Sequence, residues 1–321
     1  MYARDKRTGG RLFTGIYPMQ YAFYGADGGL DREAMRRQAT GCLRAGVDGL
    51  AVLGLGTEVN KLSLAERLQA LEWTAESTAG KVKLSVTVAE PSIAGQVAFA
   101  RRAVALGADW IVLQPPPVRS ASEAELIRFF GAVADAVDAP IGIQNAPEYT
   151  GIGLSADGIA TLARNHANFR VLKGEGPVIG IRKIIQQTAG TLAVFNGRGG
   201  LELTDNLRAG CAGIVPGAES CDIQKQIFDL VTSPDPAAKA EGEARYRALL
   251  PLVVFLMQSL DNLLTYGKLL AALRYGIEVV HSRIPAQAPD PFGLACLRQA
   301  AQHLYPDLDF TRLDALWTAK A

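Results

Sequence analysis

The feature that most constrains this chain is a rhythm. Eight times within the first 232 residues, a short apolar run is followed by a longer amphipathic segment. The apolar runs fall at 12–17, 48–53, 83–88, 110–113, 140–144, 169–172, 192–195 and 213–215. The predicted helices run over 31–45, 63–78, 92–106, 122–137, 155–165, 178–188, 201–209 and 222–231. Several open on a residue whose side chain can cap free N–H groups: Asp31, Ser63, Ser92, Ser122 and Ser155. Ser63-Leu64-Ala65-Glu66 has the form of a capping box, in which the two ends hydrogen-bond each other. Runs this short and this continuously apolar are expected of strands buried on both faces. Strands that alternate with helices are expected to be parallel. Eight such units predict an α/β fold of the (β/α)8 barrel type over residues 1–233. A doubly wound open sheet is the competing architecture, but its Gly-rich phosphate fingerprint is missing after the first run.

From residue 234 the pattern changes. Helices are predicted over 237–260 with a break at Pro251, over 261–275, over 291–304 and over 312–319, with His281 at a helix end. Residues 234–321 are therefore expected as an all-helical region packed on the barrel. Ser233-Pro234-Asp235-Pro236 reads as a turn, not a linker. A hydrophobic content of 49% supplies a large core, and a net charge of +1 gives no electrostatic reason to expect nucleic acid or an anionic membrane. The apolar stretch 248–257 is too short to span a bilayer. The polar N-terminus lacks the apolar segment of a secretory signal, so a cytoplasmic location is expected. Cys42, Cys211, Cys221 and Cys296 have no CxxC spacing and are expected as reduced thiols. His166, His281 and His303 lack ligand spacing, so no metal is expected.

Enzymes of this barrel type place their reacting groups at the C-terminal ends of the strands. Lys173 ends the sixth run, within Val171-Leu172-Lys173-Gly174-Glu175-Gly176-Pro177. A lysine there is paired, exposed or employed. In a low dielectric its pKa falls, and the neutral amine can attack a carbonyl to form a Schiff base. Other polar residues reach the same mouth. Glu58 is either a general acid or base, or a carboxylate holding N–H groups of its own turn. Thr57 with the Gly56 N–H either binds a substrate carboxylate or ends the second strand. Gln144 either orients substrate or bonds across the barrel, and Asn145 follows it. Tyr149 offers a phenol. Asn196 and Arg198 follow the seventh strand, and Val215 ends the eighth. Arg198 either pairs with an acidic substrate or is solvated. Gly197, Gly199, Gly200 and Gly217 are compatible with phosphate, but no basic cluster joins them.

Several of these segments together resemble the dihydrodipicolinate synthase / N-acetylneuraminate lyase family of Schiff-base-forming barrels. Gly46-Val47-Asp48-Gly49, the turn from Gly54 to Glu58, and Leu62-Ser63 with Glu66-Arg67 resemble its glycine-rich turn and the following helix. Asn145-Ala146-Pro147, Thr150-Gly151 and Leu154-Ser155 resemble the segment after its fifth strand. Lys173 stands where that family has its Schiff-base lysine. Ala209-Gly210-Cys211-Ala212-Gly213 resembles its eighth-strand entry, and Lys268, Leu273, Gly276 and Arg283-Ile284-Pro285 its helical C-terminal region.

The departures matter as much. Gln144 replaces the tyrosine that relays protons in the synthase and the lyase, and an amide cannot be a general acid or base. Leu55-Gly56 replaces a hydroxyl-bearing pair, Val118 stands for a tyrosine lent by a neighbouring subunit, and Tyr149 for the arginine that holds a dicarboxylic substrate. The acidic residue often found directly after the lysine is displaced by one position, to Glu175.

The resemblance implies a cofactor-free lyase, aldolase or dehydratase, acting on a pyruvate-like 2-oxo acid, with 2-keto-3-deoxy sugar acids fitting better than synthase chemistry. Proton transfer then falls to Glu58, Tyr149, Glu175 or water. The synthase itself, a non-catalytic binder of 2-oxo or sugar acids, and a phosphate-binding aldolase are the alternatives. A homo-oligomer, dimer or tetramer, is implied by resemblance alone.

Overall fold

In the computed structural model, which describes residues 13–318, eight parallel strands form one sheet in the order β1-β8-β7-β6-β5-β4-β3-β2. They are β1 (Gly15–Ile16), β2 (Gly49–Val52), β3 (Lys83–Val88), β4 (Trp110–Leu113), β5 (Ile141–Asn145), β6 (Phe169–Gly174), β7 (Ala193–Asn196) and β8 (Gly213–Ile214). The remaining seam, between β1 and β2, is closed by single bonds. Asp48 N–H donates to the Ile16 carbonyl at 3.1 Å, Ala51 N–H to Pro18 at 3.0 Å and Gln20 N–H to Ala51 at 2.8 Å. Met19 bridges to both Ala51 and Gly217. The expected first strand began at Leu12, which lies outside the described residues.

Helices α1 (Arg32–Arg44), α2 (Leu64–Thr78), α3 (Ile93–Ala105), α4 (Glu123–Ala136), the short α5 (Pro147–Thr150), α6 (Ala156–Asn165), α7 (Val178–Gln187), α8 (Leu203–Ala209) and α9 (Cys221–Thr232) lie between and after the strands. Asp31, Ser63, Ser92, Ser122 and Ser155 all cap as their positions predict, and Ser63 with Glu66 forms the reciprocal box.

The strands separate two cores. Leu50, Val52, Leu84, Val86, Ile111, Leu113 and Leu172 pack outward under the helices. Tyr17, Met19, Ala51, Trp110, Val112, Val171 and Phe195 fill the barrel itself. Trp110 stacks on Phe195 with centroids 5.2 Å apart, and Tyr17 meets both edge-on. The barrel is thus plugged, and only its C-terminal mouth is left for chemistry.

The sixth strand runs further than its apolar run. Gln144 pairs with Lys173, Asn145 with Gly174 and Lys173 with Phe195, so the lysine is held inside the ladder. β6 also carries one residue more than β5: Ile141 pairs with Phe169 and Gly142 with Val171, which leaves Arg170 outside the ladder and exposed.

The C-terminal region departs from the expected pattern in three ways. α10 (Pro236–Leu256) runs straight through Pro251. Pro251 is exposed, so the carbonyl it frees can be hydrated and the helix continues. The next helix is not uniform: α11 (Leu260–Asn262) passes into a π-helical turn, Leu263–Gly267, before α12 (Lys268–Tyr275). After α13 (Pro291–Ala301), the expected helix 312–319 shrinks to α14 (Leu313–Leu316). Its end becomes β10 (Trp317–Thr318), which pairs with β9 (Val280–His281), while Ala319 lies outside the described residues. His281 therefore sits in a strand, not at a helix end. Trp317 Nε1 donates to Ser282 Oγ at 3.2 Å across this short ladder. Among the described residues, no single helix is long and apolar enough to cross a membrane.

Candidate active site

β6 delivers Lys173 to the mouth, where it is 5% exposed. Its Nζ donates to Oε1 of Glu175, two residues on and equally buried. Glu175 is held in place by its own N–H, which donates to the Asn145 carbonyl at 2.9 Å. Gln144 Nε2 donates to the same Oε1 at 3.0 Å. Gln144 Oε1 accepts in turn from Gln114 Nε2 at 2.8 Å. Gln114 follows β4 directly, and its carbonyl accepts from Gln96 Nε2 at 2.8 Å. The ends of three neighbouring strands are thus joined by one buried polar chain that terminates on the lysine amine. Because Gln114 engages the oxygen of Gln144, the amide presents its NH2 to Glu175.

The lysine and Glu175 face a cavity of ≈ 50 Å³. Tyr149, Arg198, Gly56, Val215, Gly199 and Gly217 line it as well, so several residues singled out from the sequence meet at one place with Lys173 and Glu175. Burial and the Glu175 charge push the Tyr149 phenol above its ordinary range, and Arg198 beside it partly offsets them. Arg198 takes a left-handed backbone, φ 54°, between two glycines. Its Nη1 donates to Glu202 at 3.2 Å, Glu148 stands 4.0 Å from its Nε, and that buried Nε makes no hydrogen bond.

The other candidates do different work. Gln144 stands behind Glu175 and is bonded to the neighbouring strand ends, not across the barrel. Thr57 is fully buried; its hydroxyl donates to the Gln20 carbonyl at 2.6 Å and accepts from Leu53 N–H at 3.0 Å, so it ties the turn to the segment after β1. Asn145 clamps Leu154 through both side-chain atoms, at 3.0 and 2.8 Å. Asn196 donates to the Gly176 carbonyl and to Asn206, pinning the turn after the lysine.

Glu58 does not line the lysine cavity. It pairs with the buried Lys268 and with Lys61 at 2.7 Å. Burial alone would raise its carboxyl, but the two ammonium groups hold it below the ordinary range. Burial pulls Lys268 below the ordinary lysine range, with Glu58 opposing.

Gln114 and Tyr21 are among the residues at the site that were not singled out from sequence. Gln114 stands directly after its strand, as Lys173 stands after the sixth apolar run, and that position was the signal for it. Tyr21 also lines the cavity, but no periodicity marks it.

Comparison with known proteins agrees with this architecture. The dihydrodipicolinate synthetase family matches residues 12–266. The 4-hydroxy-tetrahydrodipicolinate synthase of Corynebacterium aurimucosum is 30% identical over 274 residues, 85% of this chain and 88% of that one. The L-2-keto-3-deoxyarabonate dehydratase of Azospirillum brasilense is 29% identical over 245 residues, 74% of this chain and 78% of its own. The Escherichia coli K12 protein YagE, whose name proposes a 2-dehydro-3-deoxy-D-gluconate aldolase, is 33% identical over 178 residues. That match spans little more than half of either protein, 56% of each. The crystal structure of YagE in complex with pyruvate superposes with a TM-score of 0.82 at 27% identity, covering 91% of this chain and 99% of YagE. By fold, by family match and by its similarity to these proteins, the chain belongs to the dihydrodipicolinate synthetase family.

Proposed function

We propose that this protein is a lyase in which Lys173 forms a Schiff base with a 2-oxo acid, and that it acts on a 2-keto-3-deoxy sugar acid by aldol cleavage or by loss of water. The observation that carries the proposal is a buried lysine amine, bonded to one carboxylate, at a cavity sized for a small molecule at the mouth of the barrel. The names of the similar aldolase and dehydratase, and the pyruvate bound to YagE, support the substrate class.

Glu175 takes the role that the sequence left open among several groups. It accepts the ammonium proton of Lys173, which frees the amine to attack the keto carbon. It then returns that proton to the departing hydroxyl as the imine forms. Gln144 orients Glu175 and transfers no proton itself. Gly56 and the turn around it face the amine and hold the acid end of the substrate. Tyr149 and Arg198 meet its far end. The reaction needs no metal or organic cofactor, and the protein acts in the cytoplasm as a homo-oligomer.

Borohydride reduction in the presence of pyruvate, or of 2-keto-3-deoxy sugar acids, tests the proposal. Mass spectrometry should place the adduct on Lys173. If no adduct forms, or if a Lys173→Ala variant keeps full turnover, the imine mechanism is wrong.

A further inference from the structure

The wall of the cavity formed beyond β1 and β8 holds a second titratable couple. Tyr21 is fully buried, lines the cavity with Lys173, and donates its hydroxyl to Glu219 Oε2 at 2.7 Å. Glu219 is 1% exposed. Its other oxygen accepts from the Ser220 hydroxyl at 3.4 Å, and the backbone N–H of Glu219 itself also faces the carboxyl. Arg274 lies close, but its guanidinium is bonded to the Glu219 backbone carbonyl and to Asp222, not to the Glu219 carboxylate. Burial pushes the Glu219 carboxyl above its ordinary range, and the Tyr21 bond only partly offsets this.

Two glycines leave room for the phenol. A Cβ on Gly217 would stand 2.7 Å from Tyr21 Oη and 2.0 Å from Glu219 Oε2, and one on Gly267 would stand 2.5 Å from Oη. Gly267 ends the π-helical turn Leu263–Gly267, whose Leu263 also lines the cavity. π-Helical turns often occur where a fold has been adjusted around a functional site.

A buried carboxyl with no cation bonded to it is costly, and an apolar pair of similar volume would serve stability better. Titratable groups kept at such a cost beside a reactive cavity are candidates for chemistry. The imine proposed above also needs a base for the carbon next to it; Glu175 serves the nitrogen, and the Tyr21–Glu219 couple stands on a separate wall of the same cavity. We propose that Tyr21 and Glu219 form the relay that removes the proton from the carbon next to the imine, with Tyr21 touching the substrate and Glu219 acting through it. This rests on the imine reading of Lys173.

The step balances. The C–H bond breaks, and its electron pair forms a carbon–carbon double bond as the iminium electrons return to nitrogen. The proton goes to Tyr21 Oη while the phenol's own proton passes to Glu219 Oε2. An iminium facing a carboxylate becomes a neutral enamine facing a carboxylic acid, and the reverse step restores both.

Pyruvate is a sufficient probe. The full-length protein is incubated with pyruvate in D2O, methyl deuteration is followed by NMR, and the imine fraction is measured by borohydride trapping. The wild type should deuterate the methyl group. In Tyr21→Phe and, separately, in Glu219→Gln, exchange per mole of imine should fall by about 100-fold or more. A residue that merely supports the fold would lower imine and exchange together and leave their ratio unchanged. An unchanged ratio in Tyr21→Phe overturns the relay, as does a wild type that traps pyruvate without exchanging it. If the wild type forms no imine, the Lys173 reading fails as well, so the two failures are told apart. Each variant is nearly isosteric, and either one that folds decides the matter.

Discussion

Glu58→Gln separates catalysis from architecture at the glycine-rich turn. Lys268 is 2% exposed and Glu58 6%. Among the described residues Lys268 has one carboxylate partner, Glu58, whereas Glu58 has two ammonium partners, Lys268 and Lys61. Removing one member of a buried pair costs about 3–5 kcal/mol, because the other charge is left uncompensated. Glu58→Gln should fall near the low end of that range, since Lys268 can release its proton in response. Lys268→Met leaves Glu58 with Lys61, which is one fifth exposed, and should cost about 1.5–3 kcal/mol, the worth of a charged hydrogen bond. Combining Glu58→Gln with Lys268→Met should cost less than the sum of the two single losses by about 2 kcal/mol, the coupling read from a double-mutant cycle.

Urea unfolding followed by circular dichroism measures all three, and borohydride trapping on the same samples measures the amine. The pH dependence follows from the shifts. Glu58, held below its ordinary range, contributes stability that is complete above the unfolded carboxyl range and is lost as the pH falls through its depressed value. Lys268 is depressed too, so the native state sheds its proton before the unfolded chain does. Stability therefore rises with pH between that lowered value and the ordinary 10.5. Glu58→Gln should remove the acid limb. A loss of under about 1 kcal/mol together with lost trapping would refute this reasoning and make Glu58 the acid–base group of the imine chemistry.

Two further outcomes are expected at the site itself. Glu175→Gln should slow imine trapping by about 10²- to 10⁴-fold and, like Glu58→Gln, cost about 3 kcal/mol in urea unfolding, and trapping at the native rate in the folded variant would exclude it as the proton acceptor. Arg198→Gln should raise KM for acids longer than pyruvate by about 10-fold or more with little change in kcat, the pattern of a lost ground-state contact; an unaltered KM would show that the guanidinium only pairs with Glu202 and Glu148.

The barrel was legible because its signals are local. Apolar runs and capping serines state where each unit begins, and the structure uses nearly all of them as written. The C-terminal region was less legible for the same reason: the strand pairing of Trp317 with Val280 is decided by a partner 37 positions away, and nothing within either segment announces it. The site divides along the same line. Lys173 ends an apolar run, Arg198 and Tyr149 follow strands, and position alone brought them forward. Glu58 follows a strand too, yet its carboxylate turns to Lys268, a residue 210 positions later. Thr57, Asn145 and Asn196 carry side chains suited to binding, but backbone groups nearby claim them first. Tyr21 and Glu219 are 198 positions apart and acquire meaning only when β1 meets β8.

The extra residue at Arg170 has a consequence that is a matter of counting. Side chains along a strand alternate between its two faces, so each inserted residue reverses the facing of everything after it. Phe169 packs outward with the helix layer, and by simple alternation Val171 and Lys173 would follow it there. With Arg170 set aside, Val171 turns into the barrel and Leu172 outward, which leaves Lys173 facing the mouth. Where the amine points is thus fixed by the parity of the chain. Exchanging Arg170 for another polar residue would leave that parity untouched. Deleting it would leave Phe169, Val171, Leu172 and Lys173 in plain alternation, so the lysine would still face the mouth, whereas a residue added within the paired stretch would keep every reactive side chain and direct the lysine into the helix layer.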